Sequence, residues 1–144
     1  MARLVTILST VVLIASLRVS CEPDDVKFSL PTGGTWHVGD SLLFEWRNAA
    51  VGNVGIVVRP VANTPIARVV PPMVVTTGTK GRFVEGDPPC DRGPADEPCA
   101  RFTWVVDDKD PVTQTKSLET GLYEAVLVLE HGHVATSKSF TIVV

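Results

Sequence analysis

The segment Ser41–Arg47 constrains the fold more than any other part of the chain, because its side chains alternate between apolar and polar. One face of the extended segment carries Leu42, Phe44 and Trp46, and the other carries Ser41, Glu45 and Arg47. Only Leu43 breaks the alternation. A period of two residues is typical of a strand with one buried face, not of a helix. We therefore predict a half-buried central strand here.

Further extended runs follow along the chain, separated by turn residues such as Gly, Pro, Asn and Asp. They cover residues 26–30, 54–59, 65–70, 73–77, 100–106, 121–130 and 137–144. After the first 21 residues, apolar side chains do not recur at helical spacing. This number of short strands predicts an all-β fold, an immunoglobulin-like antiparallel β-sandwich of seven to eight strands.

The aromatic residues divide into core and candidate site residues. Trp46 and Trp104 lie on the apolar faces of their predicted strands, so we expect both in the core. Tyr123 follows Gly121 at a strand start and matches the tyrosine corner of such sandwiches. Trp36 and His37 lie beside the Gly39-Asp40 turn. We therefore keep Trp36 and His37 as candidate ligand-binding residues.

The first 21 residues have the features of a secretory signal peptide. Arg3 precedes an uncharged apolar run over residues 4–17, which is too short for a bilayer that needs about 20 residues. Cleavage is expected after Cys21, with a site nearer Ser16 as the alternative. A lipoprotein lipidated at Cys21 is the rival interpretation, but Arg18 would then lie inside the lipobox. We expect a secreted domain over residues 22–144, with no membrane association after signal removal.

The charge of the secreted domain excludes two classes of partner. Removal of residues 1–21 takes away two arginines and no acidic residue, so the domain is two charges more negative than the −3 of the whole chain. No basic patch is expected that would bind nucleic acid or an anionic membrane.

Three cysteines occur in the chain, and loss of Cys21 leaves Cys90 and Cys99 to pair in an oxidising compartment. The alternative is a redox or metal site. Neither a second Cys pair nor an adjacent His supports it, and the flanking residues are acidic. We predict a structural disulfide that pins a loop rich in Pro and Gly.

No motif predicts catalysis, a cofactor or a metal. His131 and His133 lie in a predicted hairpin turn, where exposed histidines are more frequent than a metal site. The acidic run at Asp107, Asp108 and Asp110 lacks the Gly and the terminal Glu of a calcium loop. No nucleophile motif or phosphate-binding glycine loop occurs. A glycoside hydrolase that uses a pair of carboxylates is kept as an alternative.

Three pieces of the chain, taken in order, resemble a known family. They are residues 28–46 (FSLPTGGTWHVGDSLLFEW), 102–105 (FTWV) and 121–144, which contains GLYEAVLVL and KSFTIVV. Together they are similar to the N-terminal domain of the fungal Ser/Thr-rich, GPI-anchored membrane-protein family and of the yeast cell-wall synthesis proteins of the killer-toxin-resistance type. The resemblance implies a secreted immunoglobulin-like domain linked to β-glucan assembly or the outer cell surface. That family also carries a Ser/Thr-rich tail and a GPI signal, and we expect this chain to be a free single-domain form.

Residues 36–44 are also similar to a strand pair of plant-type blue copper proteins. A copper site of that kind needs two His, a Cys and a weak axial ligand. No histidine occurs at 52–55, and no Cys-x4-His run occurs near the C-terminus. We therefore predict no copper site.

These observations predict a non-catalytic module that acts at the cell wall or extracellular surface. Its expected partner is a cell-wall polysaccharide such as β-glucan, or an extracellular protein. One alternative is a secreted effector or inhibitor that binds a partner protein through the loop 78–98. Another is a small polysaccharide-active enzyme that uses carboxylates or the two histidines of the hairpin turn.

Mass spectrometry of the secreted protein tests the predicted processing and pairing. We expect an N-terminus at Glu22 and no free thiol before reduction, because Cys21 leaves with the signal peptide and the other two cysteines are bonded. Reduction and alkylation should then label two cysteines. A protein that retains Cys21, or that alkylates without reduction, would contradict this prediction.

Overall fold

The structure is a computed structural model that describes residues 25–84, 87, 89–90, 97–130 and 132–144. These residues form an all-β fold, as predicted. The predicted signal peptide, part of the loop 78–98 and His131 lie outside them. Within the described ranges there are nine strands: β1 (Lys27–Leu30), β2 (Thr35–His37), β3 (Ser41–Arg47), β4 (Asn53–Pro60), β5 (Met73–Lys80), β6 (Cys99–Val105), β7 (Gly121–Leu129), β8 (Gly132–Thr136) and β9 (Phe140–Val143).

The strands form two sheets that pack together as a sandwich. The smaller sheet has the order β1-β3-β6, with β3 in the centre. The larger sheet has the order β2-β9-β7-β4-β5, and β8 also pairs with β7. Neighbouring strands are antiparallel except β2 and β9, which are parallel. The strand β3 therefore has a hydrogen-bonded neighbour on each side.

The strands β8 and β9 share one edge of β7. Residues 121–123 of β7 pair with β9, and residues 126–129 pair with β8. Ser137 lies between the two strands, where its Oγ accepts a hydrogen bond of 2.9 Å from the Ala125 N–H and donates one of 2.8 Å to the Lys138 carbonyl. The predicted strand over 137–144 is thus shorter than expected, because Ser137 interrupts the ladder.

Alternate residues of the facing strands make the core, as the period of two predicted. Phe44, Trp46 and Leu42 are completely buried, and Trp104 is 9% exposed. The predictions that Trp46 and Trp104 lie in the core are confirmed. The larger sheet contributes Val54, Ile56, Val58, Tyr123, Ala125, Leu127, Phe140 and Ile142.

The predicted strand over residues 65–70 is wrong, because Pro65–Arg68 form a 3-10 helical turn. Pro65 is compatible with such a turn, since its ring fixes φ and its missing N–H is not needed at the first position. The Ala67 N–H donates to the Thr64 carbonyl at 3.1 Å, and the Val70 N–H donates to the Ile66 carbonyl at 2.9 Å. Two strands were not predicted: β2, which has three residues, and β8.

Two residues on the polar face of β3, Glu45 and Arg47, are buried, which the alternating pattern did not predict. Glu45 is 0% exposed and Arg47 is 3% exposed. Ser29 Oγ donates to Glu45 Oε1 at 2.9 Å, and Arg47 Nη2 lies 3.5 Å from the same oxygen. Arg47 Nη1 also donates to the Glu97 carbonyl at 3.0 Å. The chain at Glu97 therefore lies against this face of the smaller sheet.

Tyr123 ties the start of β7 to the chain before it. Its hydroxyl donates to the Glu119 carbonyl at 2.6 Å and accepts from the Glu119 N–H at 3.0 Å. Burial raises the pKa of the Tyr123 phenol, while the hydrogen bond with the Glu119 backbone opposes that rise. The hydroxyl thus stays protonated and able to donate at neutral pH.

Replacement of Glu45 by glutamine tests the buried ion pair. We expect E45Q to lower the free energy of unfolding by about 3 kcal/mol, because it removes the negative charge beside the buried guanidinium of Arg47. The matched control is K27Q, which removes the exposed ion pair between Lys27 and Glu97 and should cost less than about 1 kcal/mol. Urea unfolding measures both. A smaller loss for E45Q than for K27Q would contradict the account.

Candidate functional site

Trp36 is a half-buried aromatic side chain at the edge of the larger sheet. It lies on β2, opposite Ile142 of β9 in the register. Its ring meets the Phe140 ring edge-on, with centroids 5.9 Å apart and an interplanar angle of 90°. One side of the indole thus packs on the core, and the rest borders an open cleft.

The cleft beside Trp36 has a volume of about 490 Å³ and opens to solvent. It lies where the chain crosses from β1 in the smaller sheet to β2 in the larger one. Besides the indole, its lining residues are Leu30, Pro31, Thr32, Gly33, Gly34, Ser41 and Leu43. The lining therefore combines an aromatic ring and aliphatic side chains with two hydroxyl groups. We call this site the Trp36 cleft.

Gly34 is needed where it is, because the indole lies directly against its backbone. A Cβ at Gly34 would be only 2.8 Å from Trp36 Cη2, which is closer than real contacts allow. Its φ of +100° is also in the region that favours glycine. At Gly33, where φ is +129°, a Cβ would meet no atom within 4 Å. The sequence Gly33-Gly34 thus lets the chain turn, and Gly34 in addition makes room for the ring.

His37 follows Trp36 on β2, and its side chain is 65% exposed. The His37 N–H donates to Asp40 Oδ2 at 2.8 Å, and His37 Nδ1 lies 3.6 Å from the same oxygen. Because successive side chains of a strand point to opposite faces, the two candidate residues do not converge on one site. His37 belongs to the Val38-Gly39 turn and is not among the residues that line the Trp36 cleft.

The predicted disulfide between Cys90 and Cys99 is confirmed, with its Cα atoms 6.4 Å apart. It joins the loop 78–98 to the first residue of β6. The Phe83 N–H donates to the Cys99 carbonyl at 2.7 Å, so the chain on both sides of the disulfide is held to β6. Glu97 lies two residues before Cys99, and its carbonyl accepts a hydrogen bond from Arg47.

The acidic run after β6 organises its own loop. Asp110 Oδ1 accepts hydrogen bonds from the Val112 and Thr113 N–H groups at 2.8 and 2.9 Å. These two hydrogen bonds hold the pKa of Asp110 below its usual value, and the bond from the Thr113 N–H has the larger effect. Asp107 Oδ1 accepts from the Lys109 N–H at 3.0 Å. The carboxylates therefore stabilise the turn, which is their ordinary role in such loops.

The metal site that we weighed at His131 and His133 falls on residues whose side chains are outside the described set, and His133 lies on β8 instead of in the predicted turn. Elsewhere in the described chain, no group of three or more His, Cys, Asp or Glu side chains is placed to hold a metal ion. No helix within the described residues has the length and apolar character needed to cross a membrane.

No protein-family model matches this chain, and no curated protein matches it.

The sequence pointed to Trp36 but not to the residues around it. Leu43 was the one exception to the alternation of β3, and it now forms a wall of the Trp36 cleft. The spacing Gly33-Gly34-x-Trp36 could have indicated the position of the indole. An aromatic ring two residues after a glycine can pack on the backbone of that glycine, which has no side chain in the way. The role of Ser41 depends on how β1 and β2 are connected across the sheets, which no local pattern specifies.

Two glycine-to-alanine variants test the position of the indole. G34A should displace Trp36 and lower the free energy of unfolding by about 1 kcal/mol more than G33A, since both positions have positive φ but only Gly34 touches the ring. Thermal unfolding and the indole N–H resonance of Trp36 report the change. Equal losses, with the same indole resonance in both variants, would show that the ring does not lie on Gly34.

Proposed function

We propose that this chain is a secreted, non-catalytic binding module that acts at the cell wall or extracellular surface and binds neutral polysaccharide, with β-glucan as the ligand, in the Trp36 cleft. The observation that carries the proposal is the half-buried indole in an open cleft of about 490 Å³ that also contains hydroxyl groups. The fold we propose for it is the immunoglobulin-like type of β-sandwich.

The strand order supports the immunoglobulin-like assignment. In such sandwiches the chain passes back and forth between the two sheets, and a tyrosine near the start of a strand late in the chain bonds to backbone a few residues upstream. Here β3 and β6 lie in one sheet, while β4, β7 and β9 lie in the other. The hydroxyl of Tyr123 bonds to the backbone four residues before it.

The chemistry of the cleft suits a sugar ring. A hexose has faces of C–H groups that pack on an aromatic surface, and hydroxyl edges that need hydrogen-bond partners. The Trp36 indole supplies the apolar surface, and the side chains of Thr32 and Ser41 supply polar partners at its edge. Both hydroxyl residues are exposed, so they stay accessible to a ligand.

Charge supports a neutral ligand over an anionic one. The chain has a formal net charge of −3, and none of the residues that line the cleft is charged. An anionic polysaccharide would be repelled by the overall field and would find no cation in the cleft. The resemblance of residues 28–46 to the cell-wall synthesis family points to the same ligand class, because every residue that lines the cleft falls within that stretch.

A pull-down with insoluble β-glucan, cellulose and chitin tests the proposal. We expect the protein to bind β-glucan, and we expect W36A and T32R to lose at least about tenfold in affinity. T32R blocks the cleft from an exposed position and leaves the core contact with Phe140 intact, so it separates lost binding from lost folding. H37A is the matched control on the other face of β2 and should bind like the native protein.

Three other results would contradict the proposal. Release of soluble oligosaccharide would show an enzyme. Binding that W36A and T32R leave unchanged would place the ligand elsewhere. Capture of a protein partner that is lost when the loop 78–98 is shortened, without polysaccharide binding, would favour the effector interpretation.

A further inference from the structure

The strand β3 is paired on both sides for only part of its length. On one side, β6 pairs with every residue of Ser41–Arg47. On the other side, β1 pairs only with the second half of β3, and its last residue, Leu30, lies opposite Glu45. Within the described ranges, no strand lies beside Ser41 and Leu43 on the β1 side. The smaller sheet therefore has a gap that begins where β1 ends.

The Trp36 cleft occupies this gap. Its lining consists of Ser41 and Leu43 of β3, residues 30–34 and the indole of Trp36. Leu42 lies between the two β3 residues, but it is completely buried and does not line the cleft. After its last paired residue, β1 does not continue alongside β3, because the chain crosses to β2 in the larger sheet. The cleft thus lies where a longer β1 would have been.

The backbone groups of the two β3 residues in the cleft point toward the gap. In an antiparallel pair, residues whose N–H and C=O groups bond to the partner strand alternate with residues whose groups point away from it. Just before β3, the Val106 N–H donates to the Asp40 carbonyl at 2.8 Å. Just after β3, the Asn48 N–H donates to the Pro98 carbonyl at 2.8 Å. The even-numbered residues of β3 therefore bond to β6, and the backbone groups of the odd-numbered residues are directed to the β1 side.

The open edge of β3 suits hydroxyl groups. Ser41 is exposed and Leu43 is half-buried, and each carries one N–H donor and one C=O acceptor. A sugar hydroxyl both donates and accepts, so it can bond to either kind of group. The open edge is three residues long, or about 10 Å, which is shorter than most strands. It is therefore better matched to the hydroxyls of a sugar chain than to an added peptide strand.

We propose that the main-chain N–H and C=O groups of Ser41 and Leu43 hold the polysaccharide in the Trp36 cleft, so that the ligand lies along β3 in line with β1. The polysaccharide as occupant is taken from the proposed function, on which this inference rests. The indole of Trp36 contacts the face of a sugar ring, and the β3 edge bonds to its hydroxyls. Main-chain groups of a paired strand are already fixed in direction, so little freedom is lost when they bind.

Amide hydrogen exchange, measured by nuclear magnetic resonance with and without a soluble β-glucan oligosaccharide, tests the inference. In the free protein, the amides of Ser41 and Leu43 should exchange at least roughly tenfold faster than those of Leu42 and Phe44, because only the latter bond to β6. Saturating ligand should slow exchange at Ser41 and Leu43 by roughly fivefold. The control is Thr103, the register partner of Leu43. Its N–H points away from the cleft, so the ligand should leave its exchange unchanged.

Two variants of Ser41 separate the main chain from the side chain. S41A removes the hydroxyl and keeps the N–H, whereas S41P removes both. Proline is compatible with this position, because Ser41 is the first residue of β3 and its N–H does not bond to β6. We expect S41P to bind the oligosaccharide roughly fivefold more weakly than S41A, and thermal unfolding checks that both variants are folded. Equal affinity of the two folded variants would overturn the proposal.

The exchange data distinguish failure of this inference from failure of the proposed function, whether or not S41P folds. Ligand that shifts the Trp36 indole resonance without protecting Ser41 and Leu43 would overturn the main-chain contact and leave the cleft as the binding site. Slow exchange of both amides in the free protein would show that they are bonded within the fold, and would overturn the main-chain contact as well. An oligosaccharide that does not bind at all would overturn the proposed function and this inference together.

Discussion

A buried hydrogen bond from Trp46 joins the two sheets at β3, the central strand of the smaller sheet. Trp46 Nε1 donates to the Gly81 carbonyl at 2.8 Å, so the middle of the smaller sheet is fixed to the end of β5 in the larger one. Gly81 has no space for a side chain there, because a Cβ would lie 2.8 Å from the Ala50 carbonyl oxygen. Its own N–H donates to the Gly52 carbonyl at 2.7 Å. The indole is thus both the largest fully buried side chain and a polar connection between layers.

The strand β3 has a second constraint on its other face. Glu45 and Arg47 are buried there as an ion pair, and the carbonyl of Glu97 binds the guanidinium. The Asn48 N–H also donates to the Pro98 carbonyl at 2.8 Å, so residues 97 and 98 are bonded to the end of β3. A buried pair of this kind contributes little to stability compared with apolar packing, but removal of one member is costly. The arrangement therefore fixes one position of the loop against the smaller sheet.

Local pattern was sufficient for the inner faces of the strands and insufficient for the connections between them. The core positions of Phe44, Trp46 and Trp104 followed from alternation, because a residue's face depends only on its own strand. The burial of Glu45 did not follow, since it depends on a distant segment of the chain that packs over β3. Residues 65–70 were misread because an apolar run that begins with proline suits a helical turn as well as a strand. The Trp36 cleft shows the same limit of local pattern. Trp36 was a candidate from the sequence, whereas the positions of Leu43 and Ser41 in the cleft depend on how the two sheets are connected.

The central claim is that the Trp36 cleft is where this module meets its ligand, and nuclear magnetic resonance titration tests it most directly. A soluble β-glucan oligosaccharide would be added to isotopically labelled protein, and the shift of each amide and indole N–H followed to saturation. The account predicts that the largest shifts occur at the Trp36 indole N–H and at the amides of Gly33, Gly34 and Ser41. Shifts that gather at a different surface, or no shifts at all at saturating ligand, would contradict it.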